Sequence, residues 1–272
     1  MNKVKKAYNW FGSKSSIAAF LLLFVFASIA FADRSFLSAS SIENMVRKAA
    51  SDGGFLALGM TFVILVGEID LSVGSTLALG GVLMGMFGAE NPVLGIVLGL
   101  LAGVFCGFVN GLMVAKMRIS SWVATLAMML GLRGVVLLIT NKRPIPVNNP
   151  TLTAIGGGKI LGVNVLIVLL AVCTLICMYI SRNTRLGMGI YAVGGNEEAA
   201  KMMGLRVDRM KIAAYTLCGL FAALAGVLLA ARLYTAQPTA GDTWETTAIA
   251  MCALGGVKLS GGEGKFSGTF FG

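Results

Sequence analysis

Hydrophobic residues occur in long runs that short polar segments interrupt. The runs cover residues 15–32, 53–88, 93–115, 119–140, 160–180 and 212–231, and a further run begins at residue 248. Most of them are close to the roughly 20 apolar residues that a helix needs to cross a lipid bilayer. The pattern therefore predicts a series of membrane-spanning helices joined by loops.

The run from residue 53 to 88 is too long for one span and too short for two comfortable ones, and Glu68 and Asp70 interrupt its middle. A charge at membrane depth is costly and usually faces a cavity or a partner. Two half-helices meeting at an irregular segment that lines a water-filled path would meet this requirement. A hairpin that carries both acids into water at its tip would meet it as well.

The N-terminal region has two interpretations. Four lysines precede the run 15–32, and this run ends in Ala30-Phe31-Ala32, which imitates a secretory signal with its cleavage site. We favour an uncleaved first membrane helix, because the rest of the chain is itself polytopic. The lysines then place residues 1–14 in the cytoplasm. Residues 36–51 show helical spacing and a capping box at Ser40 and Glu43, which predict a short amphipathic helix in the membrane interface.

Composition and charge agree with a membrane protein. Hydrophobic residues make up 57% of the 272 residues and charged ones 12%, whereas soluble domains carry roughly a quarter charged residues. The net charge of +10 does not indicate a nucleic-acid partner, because the basic residues form short clusters between apolar runs. If residues 1–14, 116–118, 182–211 and 256–268 are cytoplasmic, 14 of the 22 basic residues lie on that side, as the positive-inside rule expects.

One glycine-rich motif suggests nucleotide binding. Residues 259–263 read LSGGE, one residue from the signature of ABC-type ATPases, and Gly264-Lys265 resembles the end of a phosphate loop. That loop needs glycine where Leu259 stands and Ser or Thr where Phe266 stands. Both requirements fail, so we predict neither nucleotide binding nor catalytic residues in this chain. Histidine is absent and the five cysteines lie in apolar runs, so we expect buried free thiols and no metal site.

The polar segment 182–211 contains a short predicted helix. Asn196 is a good N-cap, Glu197 and Glu198 complement the helix dipole, and Gly204 is placed to end the helix. A helix this short is not stable alone in water, so it should dock either on its own membrane domain or on a cytoplasmic partner. The apolar face available for docking consists of Ala199, Ala200 and Met203.

Five stretches of the chain, taken in order, resemble the ribose/xylose-type sugar permeases of bacterial ABC importers. They are GMTFVILVGEIDLSVGS, ATLAMMLGLRG, TRLGMGIYAVGGNEEAAKMMGLRVDRMK, LCGLFAALAGVLLAARLYTAQPTAG and ALGGVKLSGGEGKFSGT. Glu198-Ala199-Ala200 followed by Gly204 also resembles the EAA…G loop of importer permeases, although the later Ile-x-Leu-Pro part is absent. Glu68 stands where the family leads us to expect a small or polar residue.

The resemblance implies an all-α, polytopic membrane helical bundle with broken or re-entrant helices, forming a single permease domain over residues 1–272 in the bacterial inner membrane. Family members continue with further helices past the position of Gly272, so we expect a C-terminally truncated chain. Expected partners are a cytoplasmic ABC ATPase, an extracytoplasmic sugar-binding protein and a second permease copy, identical or different. We expect no cofactor on this chain, with ATP and Mg²⁺ on the ATPase.

Two groups of site residues follow from these expectations. The ATPase-coupling group is Gly195, Asn196, Glu197, Glu198, Ala199, Ala200, Met203 and Gly204. The translocation path or gate, where carboxylates and amides could bind sugar hydroxyls, is Glu68, Asp70, Ser72, Gln237, Thr239, Asp242 and Glu245. Each member of the second group could instead be a solvated loop residue.

Two other function classes remain open from the sequence. A secondary transporter driven by protons or sodium would use Glu68 and Asp70 as coupling acids, and a structural or signalling anchor would show no dependence on a substrate. The predicted docking helix favours the ABC importer, and the absence of histidine disfavours proton coupling.

Overall fold

The computed structural model describes residues 38–160 and 162–272, together with residues 24, 25 and 27. The predicted first helix and cytoplasmic N-terminus therefore lie almost entirely outside the described residues. Contacts group the chain into residues 1–46 and Arg47–Gly272, and the tertiary contacts described below are those within the second group. A single domain over residues 1–272 stays a prediction.

The described residues form mostly helices. In chain order they are α1 (Ala39–Ala49), a π-helical turn (Ala50–Gly54), α2 (Phe55–Leu65), α3 (Val73–Gly88), α4 (Pro92–Ala115), α5 (Ser121–Ile139), β1 (Ile145–Pro146), α6 (Pro150–Gly157), β2 (Lys159–Ile160), β3 (Val163–Asn164), α7 (Val165–Asn183), α8 (Arg185–Gly195), α9 (Glu197–Met202), α10 (Val207–Leu233), β4 (Thr235–Ala236), α11 (Trp244–Leu254) and α12 (Phe266–Phe271).

The strands form two small antiparallel pairs. β1 pairs with β4, with Ile145 opposite Ala236, and β2 pairs with β3, with Lys159 opposite Asn164. The first pair ties the loop after α5 to the end of α10, although these segments are about 90 residues apart in sequence. It therefore fixes the start of the irregular segment that follows β4.

Five helical stretches of the described chain are long and apolar enough to cross a membrane. They are Ser40–Leu65, which joins α1, the π turn and α2, and the helices α4, α5, α7 and α10. This arrangement differs from the separate interfacial helix predicted over residues 36–51. The π turn Ala50–Gly54 continues the helical main-chain hydrogen bonding, so α1 runs into α2 without an interruption.

The helix α10 lies at the centre of the bundle and packs against α2, α3 and α4. Small residues permit these contacts: a Cβ atom on Gly80 would lie 2.8 Å from the Cα of Ala223, and one on Gly59 would lie 3.0 Å from the Cys218 carbonyl oxygen. Close backbone approach of this kind is typical of membrane helix pairs. Four of the five cysteines are buried and free, as expected (Cys106, Cys177, Cys218 and Cys252), whereas Cys173 is free but only half-buried.

Candidate functional site

The short helix α9 has the predicted ends. The Asn196 side chain accepts a hydrogen bond of 2.9 Å from the Ala199 backbone N–H, which caps the N-terminus. After Met202 the Gly204 N–H donates to the Lys201 carbonyl and the Leu205 N–H donates to the Ala200 carbonyl. These two bonds form a Schellman motif, and its left-handed position is occupied by Gly204 at φ +81°.

The helix α9 turns one side inward and leaves the rest exposed. Ala200 is buried, whereas Glu198 and Ala199 are exposed. Met202 is 89% exposed and Met203 is 73% exposed. The sequence pattern predicts Met203, but not Met202, in the docking face, although Met202 is an apolar residue at the end of the helix. Together the two methionines present a flexible, apolar contact surface.

A chain of ion pairs connects α9 to the bundle. The Glu197 carboxylate lies 2.8 Å from Lys201 Nζ and 3.0 Å from Lys211 Nζ. The hydrogen bonds from Lys201 and Lys211 hold the pKa of Glu197 below its usual value. Lys211 Nζ also lies 2.7 Å from Glu68 Oε1, and these two side chains are only 13% and 16% exposed. Lys211 therefore bridges the first turn of α9 and the segment that follows α2.

Three backbone segments meet beside the start of α9. The Gly262 N–H donates to the Leu65 carbonyl at 3.0 Å, and a Cβ on Gly261 would lie 2.8 Å from the Cα of Gly67 and 3.0 Å from the Gly194 carbonyl oxygen. The LSGGE glycines thus serve close packing between loops. They also bring residues 258–263 to the same end of the bundle as α9, the end that the basic residues predict to be cytoplasmic.

Asp70 lies in a different environment from Glu68. It is buried and accepts hydrogen bonds from the Ser72 backbone N–H at 2.8 Å, from the Ser72 hydroxyl at 2.7 Å and from the Asn110 amide at 3.4 Å. The Tyr215 hydroxyl donates to the carbonyl of Ile69 at 3.2 Å. The irregular segment between α2 and α3 is therefore held from both α4 and α10.

Residues 237–243 form a re-entrant segment. Ala236 packs beside Gly85 of α3, whereas Gly241 packs beside Gly74. Gly85 and Gly74 are eleven residues apart on α3, so the chain from Ala236 to Gly241 runs about 16 Å back along that helix. Arg133 of α5 donates to two carbonyls of this segment, those of Pro238 at 2.9 Å and Ala240 at 3.0 Å.

The structure separates the residues predicted for the path or gate into distinct groups. Glu68 lies with α9, at the end of α2, and Asp70 and Ser72 are buried at the start of α3. The re-entrant segment carries Gln237, Thr239 and Asp242, and Glu245 lies in the first turn of α11. Thr239 and Asp242 are exposed, and Gln237 and Glu245 are half-buried. The Glu245 carboxylate lies close to Gly74, so it reaches the level at which α3 begins.

Two open polar clefts adjoin the ion pairs at the α9 end. One has a volume of about 440 Å³ and is also lined by Arg118, Ser121 and Asp208. The other has a volume of about 460 Å³ and reaches Gly195 and Ser260. Both are lined by Glu68, Glu197 and Lys211.

Comparison with known proteins places this geometry in a transport context. Residues 45–272 match the family described as the permease component of branched-chain amino acid transport systems. The chain is 40% identical to the ribose import permease protein RbsC of Escherichia coli (strain K12) over 269 residues, which cover 97% of the chain and 83% of that relative. It is 41% identical to RbsC of Bacillus subtilis (strain 168), over 98% of the chain and 84% of that relative.

A third relative, the xylose transport system permease protein XylH of Escherichia coli (strain K12), is 32% identical over 95% of the chain and 81% of its own length. No solved structure matches the chain.

Proposed function

The chain belongs to the family of permease components of branched-chain amino acid transport systems, and from this premise we propose that it forms the membrane path of an importer for a monosaccharide. Membership makes the chain a non-catalytic, multi-pass membrane subunit of an ABC importer. The sugar class is supported by the relatives, which are named as ribose and xylose permeases. Pentoses and hexoses both present the hydroxyl groups that such a path would bind.

The observation that carries the proposal is α9, a capped helix that exposes two methionines. Its first turn is held to the bundle by the ion pair of Glu197 with Lys211. A six-residue helix cannot persist on its own, and here the Asn196 cap, the Schellman motif and the ion pairs of Glu197 hold it in shape. Its exposed surface includes Glu198, Ala199, Met202 and Met203. This surface suits a groove on a cytoplasmic ATPase, which binds ATP and Mg²⁺ and drives the transport cycle.

The sugar path lies where two permease copies face each other, alongside the re-entrant segment. Thr239 and Asp242 expose polar groups on a segment that returns along an apolar helix, and polar groups at membrane depth face water or a partner rather than lipid. An extracytoplasmic binding protein delivers the sugar to the end opposite α9. Glu68 is paired with Lys211, which makes it a poor coupling acid for a proton- or sodium-driven transporter.

The first test is recovery of the ATPase from gently solubilised membranes that contain the tagged chain. We expect an ABC ATPase to copurify with the native chain and to be lost with Glu198→Lys, which reverses a charge on the exposed side of α9. The matched control is Lys258→Glu, an exposed residue at the same end of the bundle that pairs only with its own loop. Equal recovery with Glu198→Lys would contradict docking through α9.

The second test is uptake of radiolabelled ribose into vesicles that contain the complex with its binding protein. We expect uptake to require ATP and to survive an uncoupler. Uptake that is abolished by the uncoupler and independent of ATP would assign the chain to the secondary transporters instead.

A further inference from the structure

We propose that Lys211 is the positioning residue that transmits movement of α9 to the break between α2 and α3. This inference rests on the proposed function, because it needs an ATPase that moves α9. It concerns a step within one permease subunit: how a displacement at the docking helix reaches the residues that close the path.

Lys211 lies between two acids on different elements. Its Nζ atom is 3.0 Å from Glu197 in the first turn of α9 and 2.7 Å from Glu68 after the end of α2. Lys211 and Glu68 are only 13% and 16% exposed, whereas Glu197 is 40% exposed, so water replaces the contact with Glu197 more easily than the contact with Glu68. When α9 moves, the ammonium group must either move with Glu197 or lose it, and both outcomes change its contact with Glu68.

Glu68 belongs to a segment that hydrogen bonds hold at several positions. The Glu68 N–H donates to the Val63 carbonyl at 3.0 Å, which fixes the segment to the end of α2. The next residue, Ile69, accepts a hydrogen bond from Tyr215, which lies one turn after Lys211 on α10. Asp70 follows and is bound by Ser72 and Asn110. A shift of Glu68 is therefore passed to Asp70 and the start of α3.

The bridge lies beside open space. Two clefts of about 440 and 460 Å³ are both lined by Glu68, Glu197 and Lys211. The bridge can therefore rearrange without displacing packed helices. In the glycine junction beside it, the backbone of Gly261 packs directly against those of Gly67 and Gly194. A rearrangement driven from α9 would then begin at the ion pairs.

The experiment compares ribose uptake with ATP hydrolysis in vesicles that contain the full importer complex. Lys211→Met removes the bridge but leaves the Glu68 carboxylate without this partner. The double variant Lys211→Met with Glu68→Gln removes the bridge and this carboxylate together. The matched control is Lys116→Met, because Lys116 forms an exposed pair of 2.8 Å with Asp208 at the same end of the bundle. Lys211→Arg keeps the charge and serves as the rescue variant.

We expect ribose uptake per ATP hydrolysed to fall about fivefold or more in Lys211→Met and in the double variant, a loss in the usual range of coupling between sites. Lys116→Met should retain the native ratio, and Lys211→Arg should recover most of it. A purely structural role of Lys211 would lower the amount of folded complex but leave the ratio unchanged in the double variant. That result would overturn the proposal.

A second readout does not require ribose to be the substrate. A cysteine placed at Ile69, which is half-buried, should react with a thiol reagent at a rate that changes when ATP is added, and Lys211→Met should abolish this change. If the native complex hydrolyses ATP but imports no ribose, the assignment of the sugar fails, and this readout alone decides the role of Lys211. An ATP-dependent change that persists in Lys211→Met would overturn that role.

Discussion

Arg232 and Asp52 form an ion pair of 2.9 Å at the opposite end of α10 from Lys211. Asp52 lies in the π turn before α2, and Glu68, the partner of Lys211, lies just after α2. The helix α2 is thus held to α10 by one ion pair near each of its ends. Under our proposals the two pairs have different roles. Arg232–Asp52 holds the two helices together, and Lys211–Glu68 transmits movement of α9.

The fixing role of Arg232 predicts a loss of stability. Both side chains are largely buried, and removal of one partner leaves a charge without compensation. We expect Arg232→Met to lower the free energy of unfolding by about 2 kcal/mol. Thermal unfolding of the detergent-solubilised protein measures this change. Arg232→Met combined with Asp52→Asn should recover part of the loss, and a double variant no more stable than the single one would argue against the pair.

The exposed methionines of α9 predict a loss of binding without a loss of stability. Met202→Glu should weaken ATPase binding about tenfold or more, because a charge replaces an apolar contact at the centre of the proposed interface. The thermal stability of the isolated chain should stay unchanged, since Met202 is almost fully exposed. Met117→Glu, at another exposed methionine, is the matched control. Equal binding by both variants would place the ATPase contact elsewhere.

The sequence alone was sufficient to predict the helix α9, because its cap at Asn196 and its terminator at Gly204 are local signals. It was not sufficient to predict the ion pair of Glu68, whose partner Lys211 lies 143 residues further along the chain. The hydrophobic pattern located the interruption of the run 53–88 but gave no information on the element that would meet it. The same limit applies to α1, whose amphipathic spacing is local and does not show that the helix continues through the π turn.

The LSGGE glycines predict a packing effect that can be separated from backbone strain. Gly261 and Gly256 have similar left-handed φ values of +87° and +81°. A Cβ on Gly261 would lie 2.8 Å from the Gly67 Cα, whereas one on Gly256 would meet nothing within 4 Å. Gly256→Ala should cost about 1 kcal/mol from strain alone.

Gly261→Ala adds a clash between backbones and should cost about 3 kcal/mol in total. Thermal unfolding of both variants checks the difference. Equal losses would mean that the three-segment junction does not constrain this loop.

The ion pairs of Glu197 predict a dependence of α9 on pH. Because the lysines lower the pKa of Glu197 in the folded protein, its contribution to stability is present above the unfolded value of about 4.3 and is lost as the pH falls through the lower folded value. Amide hydrogen exchange of α9 should therefore accelerate in this acidic range. Glu197→Gln should remove that dependence, whereas Glu198→Gln, an exposed neighbour, should retain it. Identical profiles in the two variants would assign the effect to another group.

Arg133 predicts a test of the re-entrant segment. Its guanidinium group donates to the carbonyls of Pro238 and Ala240 and lies 3.9 Å from Asp242. Both carbonyl contacts are made by Nη1, and a lysine side chain is one bond shorter, so its ammonium group does not reach this position. Arg133→Lys should therefore loosen residues 237–243 and lower ribose uptake about tenfold, since each charge-assisted hydrogen bond contributes about 1.5–3 kcal/mol.

ATP hydrolysis should be retained in this variant, because Arg133 contacts the re-entrant segment, whereas the ATPase is proposed to dock on α9. Asp242→Asn removes the distant acid and keeps both carbonyl contacts, so a smaller loss is expected. If Asp242→Asn impairs uptake as much as Arg133→Lys does, the acid acts directly on the sugar path, and the carbonyl contacts are not the main contribution of Arg133.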